Sequence, residues 1–428
     1  MKIVLWGINY HPEATGIAPY NTELAEYLSR ADHDVTVVTG FPYYPHWRKE
    51  PGDRGRLYRT ETINGVRVVR CAQYVPGRAT TLRRIFHELS FGLSSLLRVL
   101  FLSRADVYFV VSPPLVLGFF AWIATRLKRS RYVFHVQDLQ PGAAVGLGMV
   151  KSRGFIRVLF ALERFAYDHA AAVSGISDGM MSEFQRKGVP DRRRIYFPNW
   201  LRNSGGAAMP VAAGEFRRKF GVREDDLLAV YSGNLGKKQG IDILLEAARQ
   251  LMLGDRFARR VALVIAGAGA EREALAERAR KLALPNLHLL PLLSDADYAS
   301  MLADTDVGLI TQASGTGEFF FPSKLLSLLQ AKVPVVTVAD DASELARAVA
   351  DGGFGANVAP GDAVALAGAL ASLNRDRSVL AAWRERTRWV NQFSPAAVLP
   401  QFARQLELVA GEASGVSEIV GQHEPSRL

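Results

Sequence analysis

Residues 227–240 read LLAVYSGNLGKKQG, which is an apolar run followed by a turn of small residues and the start of a helix. A strand buried in a parallel sheet has this near-continuous apolar character, and a glycine-containing turn suits the junction between such a strand and a helix. The same succession occurs at the amino terminus, where an apolar run at 3–7 leads through a glycine-containing loop into a helix near 20–29. The chain is therefore expected to contain two similar α/β units.

Strand-like and helix-like segments alternate through most of the chain. Further strands are predicted at 35–39, 66–70, 107–111, 132–137, 261–266, 287–290, 307–310 and 335–338. Such alternation is typical of parallel sheets that are covered by helices. The predicted fold class is α/β, with two Rossmann-like domains facing a central cleft.

A stretch of small residues, NSGGAAMP at 203–210, has the composition of an interdomain linker. We place the boundary near residue 205. This choice predicts an N-terminal domain over 1–205 and a C-terminal domain over 206–428. The last helical pattern, at 396–409, can pack on either domain, so the C-terminal helix can cross back to the first.

The formal net charge of +10 is unevenly distributed. Residues 1–200 hold 27 of the 52 Lys and Arg but only 16 of the 42 Asp and Glu, so the whole excess lies in the first half. A basic half suits an anionic membrane surface or an anionic substrate. Nucleic acid is disfavoured as a partner because no zinc-finger, RNP or basic-helix motif accompanies the charge.

The sequence favours a cytoplasmic protein. Its one cysteine, Cys71, excludes an internal disulfide framework and a cysteine-rich metal site. The first residues lack the features of a signal peptide. The longest apolar run, at 110–125, is interrupted by two prolines and is shorter than the roughly 20 residues of a membrane span. We therefore expect neither export nor a transmembrane helix.

Residues 82–100 have the spacing of an amphipathic helix. Its apolar stripe comprises Leu82, Ile85, Phe86, Leu89, Leu93, Leu96, Leu97 and Leu100, and its polar face comprises Arg83, Arg84, His87, Ser90, Ser94 and Arg98. The ordinary interpretation is a domain helix whose stripe packs on the core. The alternative is a helix that lies on a membrane surface, with basic residues beside the stripe.

Loops that follow the first strand of each half are candidate phosphate sites. Gly16 closes the first loop and permits either a turn or a close approach of a phosphate. The glycine spacing there does not match G-x-G-x-x-G, which disfavours a nicotinamide or flavin enzyme. In the second half, Lys237 and Lys238 precede a helix and suit a diphosphate, although solvated lysines in such a loop are equally common.

Two further segments carry candidate site residues. Residues 315–324 read GTGEFFFPSK, in which three phenylalanines precede a helix start at Ser323 and can line a pocket beside an anion site, or can belong to a buried loop. His135 and Gln137 lie on one face of a predicted strand, and Asp138 follows them at its carboxyl end. Ligands of open α/β sheets bind at such strand ends, although a lone strand histidine is more often part of the core.

Taken together, these segments resemble the GT-B fold family-4 glycosyltransferases, and most closely those of colanic-acid-type exopolysaccharide biosynthesis. The resemblance extends over about residues 1–410 and rests on the order and spacing of several short motifs. They are NYHPEATG at 9–16, FHVQD at 134–138, Glu163, Ser177, FPNW at 197–200, GNLGK at 233–237 and FPSK at 321–324.

The resemblance implies an N-terminal acceptor domain and a C-terminal donor domain. It further implies a retaining transfer of a hexosyl unit from a UDP- or GDP-sugar to a lipid-linked saccharide, without metal or cofactor, at the inner face of the cytoplasmic membrane. The catalytic residues it implies are His135, Asp138 and Glu318. The substrate-binding residues it implies are Gly16, Asn199, Gly233, Asn234, Lys237, Phe321, Pro322, Ser323 and Lys324.

The sequence departs from the family pattern at two positions of the donor site. Ser327 stands where many members have a glutamate that binds ribose, and Asn234 stands where an arginine often follows the donor-strand glycine. Two other functions therefore stay open. One is a nucleotide-sugar epimerase of the same fold, and the other is a non-catalytic scaffold bound to the membrane.

Overall fold

The computed structural model describes residues 1–77, 80–139, 142, 152–202, 212–315 and 323–411, without the side chains of Thr81 and Ser323. The chain divides into two compact units. The first unit comprises Met1–Asn199 and the segment that starts at Ala396, and the second comprises Trp200–Pro395. The final helix, Pro395–Gly411, thus belongs mainly to the first unit. The predicted linker at 203–210 lies outside the described residues.

The first unit contains an eight-stranded sheet in its described part. Its strands are β1 (Lys2–Trp6), β2 (Asp34–Gly40), β3 (Tyr58–Ile63), β4 (Val66–Cys71), β5 (Val107–Ser112), β6 (Arg131–Val136), β7 (Ala172–Gly175) and β8 (Arg194–Tyr196). Their order is β3-β4-β2-β1-β5-β6-β7-β8. All neighbouring pairs are parallel except β3 and β4, which are antiparallel. The helices around this sheet are α1 (Ala18–Arg30), α2 (Thr81–Leu100), α3 (Leu117–Lys128), α4 (Arg153–His169) and α5 (Asp178–Arg186).

The second unit contains a six-stranded sheet whose described strand pairs are all parallel. Its strands are β9 (Leu227–Asn234), β10 (Val261–Ala268), β11 (Leu287–Leu290), β12 (Val307–Thr311), β13 (Val335–Val338) and β14 (Gly355–Val358), in the order β11-β10-β9-β12-β13-β14. Its helices are α6 (Glu215–Phe220), α7 (Asp242–Leu253), α8 (Arg272–Leu282), α9 (Asp295–Asp304), α10 (Ser323–Gln330), α11 (Glu344–Gly352), α12 (Ala363–Arg375) and α13 (Ser378–Arg386), and the final helix is α14.

Burial patterns explain why these segments form this architecture. All six residues of β5 are buried, as in a strand covered on both faces by helices. Strand β3 alternates instead between exposed and half-buried residues, which suits its place at the edge of the sheet. The predicted α/β fold with two parallel-sheet domains is confirmed, with β3 as the antiparallel exception.

In each sheet, successive strands are added first on one side of the first strand and then on its other side. In the first unit the chain proceeds outward from β1 and returns to β5 on the other side of β1, and in the second unit it returns in the same way to β12 beside β9. Ligands of open α/β sheets bind at such switch points, outside the carboxyl ends of the strands. The candidate ligand-binding loops are therefore those after β1 and β5 in the first unit and those after β9 and β12 in the second.

Helix α2 turns its apolar stripe to solvent, so the interpretation that this stripe packs on the core is wrong. Five residues of the stripe are each at least 42% exposed to solvent, namely Leu82, Phe86, Leu89, Leu93 and Leu97. Of the remaining predicted stripe residues, Leu96 is buried and Ile85 and Leu100 are half-buried.

The face of α2 that packs on the protein is mixed in character, because His87, Phe91, Ser95 and Val99 are buried while Arg83 and Arg84 of the predicted polar face are exposed. Ser95 Oγ accepts a hydrogen bond from the Trp6 indole at 2.9 Å, and Ser90 Oγ accepts one from the backbone N–H of Tyr74 at 2.8 Å. Ser94 donates to the carbonyl of Ala72. Among the described residues, no helix is both long enough and apolar enough to cross a membrane.

Candidate functional site

Two glycines allow the backbones of β9 and β10 to approach each other closely at the carboxyl ends of these strands. Gly233 has φ +137° and Gly267 has φ +154°, in a region that side-chain-bearing residues rarely adopt. A Cβ atom on Gly267 would lie 1.8 Å from the carbonyl oxygen of Gly233. Glycine at these positions therefore allows the two strand ends to pair closely and leaves room for the Lys324 side chain against Gly233.

Lys324 extends from the first turn of α10 to this glycine turn. Its Nζ donates a hydrogen bond to Tyr231 Oη at 2.6 Å and lies 3.9 Å from the centre of the Tyr231 ring. The Tyr231 hydroxyl in turn donates to the carbonyl of Asn234 at 2.7 Å. Burial lowers the pKa of Lys324 to about 8. No carboxylate among the described residues neutralises this ammonium, so the arrangement suits an anion.

The predicted residues Asn234 and Lys237 are exposed on the same loop. Lys237 begins a short 3₁₀ helix, Lys237–Gln239, and the carbonyl of Lys238 accepts a hydrogen bond from the N–H of Ala313 at 2.8 Å. That bond joins the loop after β9 to the loop after β12, as expected at a switch point. Lys237 can therefore reach a ligand at the same sheet edge as Lys324.

The loop after β12 is fixed by Asp340, which follows β13. The Asp340 carboxylate accepts hydrogen bonds from Ser314 Oγ at 2.9 Å and from the Gly315 N–H at 2.7 Å. The predicted residues Glu318, Phe321 and Pro322 lie outside the described residues. Ser323 opens α10 as predicted, but its side chain is not described.

We expect Gly233→Ala to weaken both the fold and nucleotide binding. A Cβ atom at this position would lie 2.4 Å from Cε of Lys324, and an alanine at this φ would be strained by about 1–3 kcal/mol. Chemical denaturation and calorimetric titration with UDP and GDP measure the two effects. The control is Gly368→Ala in α12, where an added Cβ atom meets no neighbour and should be neutral or stabilising. Equal behaviour of the two variants would contradict this account of the turn.

In the first unit, His135 is buried in the core and is 1% exposed. Its Nδ1 lies 2.8 Å from Ser174 Oγ, and its Nε2 accepts a hydrogen bond from the Gln137 amide at 2.8 Å. The latter bond requires the neutral tautomer in which Nδ1 carries the proton. Burial lowers the pKa of His135 to about 3, so the imidazole stays neutral.

The chain of hydrogen bonds continues from His135 toward the surface. Gln137 and Asn199 exchange two amide hydrogen bonds of 3.1 Å each, and both side chains are half-buried. Strand alternation correctly places Gln137 on the face of His135, and the sequence left open which of the two faces the sugar. Asp138 is half-buried beyond the end of β6, and Gly16 is exposed with φ +68°.

The sequence motif indicates Lys324 but not its partner, Tyr231. Tyr231 lies within an apolar run, and no sequence signal distinguishes it from an ordinary core residue. Among the described residues, no group of three or more His, Cys, Asp or Glu side chains is arranged to hold a metal ion.

Comparison with known proteins identifies the family. A family model described as "Glycosyl transferase 4-like domain" matches residues 15–200, and one described as "Glycosyl transferases group 1" matches residues 213–390. The putative colanic acid biosynthesis glycosyl transferase WcaI of Escherichia coli is 33% identical over 356 residues, which cover 81% of this chain and 85% of WcaI.

Solved structures share the fold at low sequence identity. Sucrose-phosphate synthase from Thermosynechococcus elongatus superposes with a TM-score of 0.71 at 16% identity, covering 96% of this chain and 99% of that protein. HepE from Anabaena, in complex with UDP, superposes with a TM-score of 0.67 at 16% identity, covering 95% of this chain and 100% of that protein. The chain therefore belongs to the same glycosyltransferase family as WcaI, and its fold is the GT-B fold of the solved structures.

Proposed function

We propose that this glycosyltransferase moves a hexosyl unit from a nucleotide diphosphate sugar to a lipid-linked saccharide at the inner face of the cytoplasmic membrane. The transfer retains the anomeric configuration, needs no metal, and serves the synthesis of an extracellular polysaccharide. The observation that carries the proposal is the half-buried ammonium of Lys324, which lies against the backbone of Gly233 and donates a hydrogen bond to Tyr231 without a neutralising carboxylate among the described residues. The name of WcaI supports the role in polysaccharide synthesis.

The donor diphosphate is assigned to the carboxyl edge of β9. A leaving diphosphate must be stabilised by cations and hydrogen-bond donors, and Lys324, Lys237 and the amino-terminal turn of α10 supply both. Lys324 lies in the first turn of that helix, where the helix dipole also favours an anion. The UDP complex of HepE supports a nucleotide as the donor carrier. The position of a ribose-binding glutamate is occupied by Ser327, so we assign no ribose contact.

We assign the sugar contact in the first unit to Gln137 and Asn199, with His135 as their positioning residue. The burial of His135 favours this division of roles over the direct contact that the family resemblance implies. Both N–H groups of the Gln137 amide are used by His135 and Asn199, so Gln137 Oε1 can accept a hydrogen bond from a sugar hydroxyl and the second N–H of Asn199 Nδ2 can donate one. Gly16 and Asp138 follow strands of the same sheet and remain assigned to this edge. The catalytic assignment of Glu318 rests on the family resemblance alone.

Membrane attachment is assigned to helix α2. Its exposed stripe presents leucines and a phenylalanine over several turns, while Arg83 and Arg84 are exposed at its first turn. An amphipathic helix of this kind binds an anionic bilayer by burying its apolar side chains at the lipid boundary. The excess positive charge of residues 1–200 supports the same surface.

The two rival functions predict different reactions. An epimerase would convert free nucleotide sugar without an acceptor, and a scaffold would bind no nucleotide. The Lys324 site favours an intact donor site over a degenerate one. A screen of UDP- and GDP-sugars, with membranes as the acceptor source, tests the proposal. We expect transfer of the sugar from one of these donors to an acceptor. Conversion of a nucleotide sugar in the absence of acceptor would contradict the proposal and indicate an epimerase.

Lys237→Ala should lower transfer by at least roughly tenfold, because one group that stabilises charge in a transition state is worth about 2–4 kcal/mol. The ammonium is exposed, so the fold should be unaffected. Initial rates with the donor identified in the screen give the measurement. The matched control is Lys281→Ala, which removes an exposed lysine from α8. Unchanged activity of the Lys237 variant would assign that residue to the solvated surface.

A further inference from the structure

The loop at residues 41–49, here called the aromatic loop, follows β2 at the carboxyl edge of the first sheet. It is fixed by buried side chains of other segments. Glu13 Oε1 accepts hydrogen bonds of 2.9 Å from the N–H groups of both Tyr43 and Tyr44. Gln73 exchanges two hydrogen bonds with the backbone of Phe41, at 3.0 and 2.6 Å. The loop is therefore held in one position and is suited to recognition.

Three aromatic rings meet where the aromatic loop packs on α2. The Tyr43 ring lies 5.3 Å from that of Trp47 and 4.5 Å from that of His87, and the last two are 5.4 Å apart. Trp47 has φ +51°, a conformation that is rare for a bulky residue and is retained mainly where surroundings enforce it. The half-buried Trp47 ring thus stands beside the imidazole of His87 with part of its surface accessible.

His87 has an unused hydrogen-bond acceptor in this cluster. The side chain is 2% exposed, and its Nδ1 donates to the carbonyl of Tyr74. Its Nε2 is buried without a hydrogen-bond partner among the described residues. Burial, together with the nearby charges of Lys49 and Arg84, lowers the pKa of His87, so Nε2 stays an acceptor at neutral pH. A buried polar atom without a partner is costly, and a ligand hydroxyl would satisfy it.

Two cations border the same cluster. The Arg84 guanidinium lies 5.3 Å from the centre of the Trp47 ring, and the Lys49 ammonium lies 5.8 Å from that of the Phe41 ring. Neither cation forms an ion pair within 4 Å in the described part of the chain, although Asp53 is near enough to raise the pKa of Lys49 and Arg84 is near enough to lower that of Glu88. Burial lowers the pKa of Lys49, as expected for a cation partly removed from water. The cluster therefore combines an acceptor for a hydroxyl, an aromatic face for a sugar ring, and cations for a phosphate.

Arg84 and His87 lie on the first two turns of α2, beside Leu82 and Phe86 of the exposed apolar stripe. A ligand in the cluster would thus be close to the bilayer on which α2 is proposed to rest. A molecule with a sugar, a phosphate and a hydrocarbon chain would fit the cluster with its sugar and phosphate and the apolar stripe with its hydrocarbon chain. The cluster alone would not call for the chain, and the stripe alone would not call for the sugar.

We infer that the cluster of Tyr43, Trp47, Lys49, Arg84 and His87 binds the phosphate-linked sugar of a lipid-anchored acceptor. His87 Nε2 accepts a hydrogen bond from a sugar hydroxyl, Trp47 packs against the sugar ring, and Arg84 and Lys49 contact the phosphates. This inference rests on the proposed function, because it names the acceptor site of the same transferase. It assigns acceptor recognition to residues that the family resemblance did not single out.

The test compares binding of the full chain to two kinds of phosphatidylcholine vesicle. One contains an isoprenyl diphosphate glucose, and the other contains phosphatidylglycerol at matched charge. Wild type should bind the first more tightly, and Arg84→Gln should weaken that binding by about tenfold, as expected for the loss of one charge-assisted contact. Arg83→Gln removes the same charge from the adjacent exposed position, so it should weaken binding to both kinds of vesicle alike and leave the preference for the glycolipid unchanged.

A second variant, Trp47→Gly, removes the ring and relieves the positive φ, so the fold should survive. It should also lose the preference for isoprenyl diphosphate glucose. Inorganic pyrophosphate added to the first vesicles should release little protein, because the free anion lacks the sugar and the lipid. Efficient release would assign the site to a free phosphate instead.

The outcomes separate this inference from the proposed function. If wild type binds phosphatidylglycerol vesicles but shows no preference for the glycolipid, or if the variants at Arg83 and Arg84 weaken binding equally, the acceptor site is wrong while membrane attachment stands. If wild type binds neither vesicle, membrane attachment itself fails.

Discussion

Lys324→Met should reduce transfer by about 100-fold and at the same time stabilise the unliganded protein. The lost activity follows from removing a cation that faces the donor diphosphate, a change typically worth about 3 kcal/mol. The gained stability follows because burial holds the pKa of Lys324 at about 8, which marks the ammonium as destabilised in the folded state. Replacing it with an apolar side chain of similar length should raise the free energy of unfolding by about 1–3 kcal/mol.

The same substitution should change the pH dependence of both properties. Because the folded-state pKa of Lys324 lies below the usual 10.5, the unfolded chain binds more protons between about pH 8 and 10.5. The contribution of Lys324 to stability therefore rises with pH across that window, and Lys324→Met should remove this rise. Binding of a nucleotide diphosphate should weaken above pH 8 in wild type, as the ammonium loses its proton, and this change should be smaller in the variant.

Initial transfer rates and urea denaturation at several pH values give the measurements. Lys281→Met, at an exposed lysine of α8, is the matched control and should leave both quantities nearly unchanged. A Lys324 variant that is less stable than wild type and retains full activity would show that the lysine serves the fold rather than the donor.

Phe86→Asp combined with Leu93→Asp should release the protein from anionic membranes. Both side chains are more than half exposed, so the substitutions disturb little packing inside the protein. Each removes an apolar group that would be worth about 1.5–3 kcal/mol if it were fully buried in lipid, and each adds a charge that anionic lipid repels. We expect binding at least about 100-fold weaker.

Flotation with phosphatidylglycerol vesicles at constant ionic strength measures the effect. Leu253→Asp, at an exposed leucine in the second unit, is the control and should still float. Arg83→Glu with Arg84→Glu should also weaken binding, by about 1 kcal/mol or more per residue, and this loss should shrink as salt is raised. Unchanged flotation of the aspartate variant would exclude the α2 stripe as the membrane contact.

The main architecture could be predicted from the sequence because most of the strands that form it are apolar runs that alternate with helical patterns. Strand β3 was missed because its sequence, YRTETI, lacks an apolar run and is stabilised by antiparallel pairing with β4. Strands β7, β8 and β14 were missed because their three or four residues do not form an apolar run, whereas the equally short β11 and β13 do. The position of each of these strands in its sheet depends on pairing with a strand from another part of the sequence.

The orientation of α2 could not be predicted from its amphipathic pattern. Periodicity identifies the apolar face but not the face that the protein covers. The face that packs inward mixes apolar and polar side chains, and two serines at its border, Ser90 and Ser94, bond to Tyr74 and Ala72, which follow β4. That arrangement becomes visible only when the helix is placed on the sheet.

The candidate sites were partly predictable for similar reasons. The motif at 321–324 indicates Lys324, while its contact with Tyr231 depends on the meeting of α10 and β9. Alternation correctly puts His135 and Gln137 on one face. Alternation cannot show which of the two side chains is buried. The groups that cover His135 are Ser174 and Phe197, which come from segments further along the chain.

The central claim is that the edge of the second sheet around Gly233 and Lys324 binds the diphosphate of a nucleotide sugar without a metal ion. Calorimetric titration of the wild-type protein with UDP and GDP, in buffer containing EDTA, tests it most directly. We predict saturable binding of one nucleotide per chain for at least one of the two, and loss of most of that affinity in Lys324→Met. Binding of neither nucleotide, or binding that appears only when a divalent cation is added, would contradict the claim.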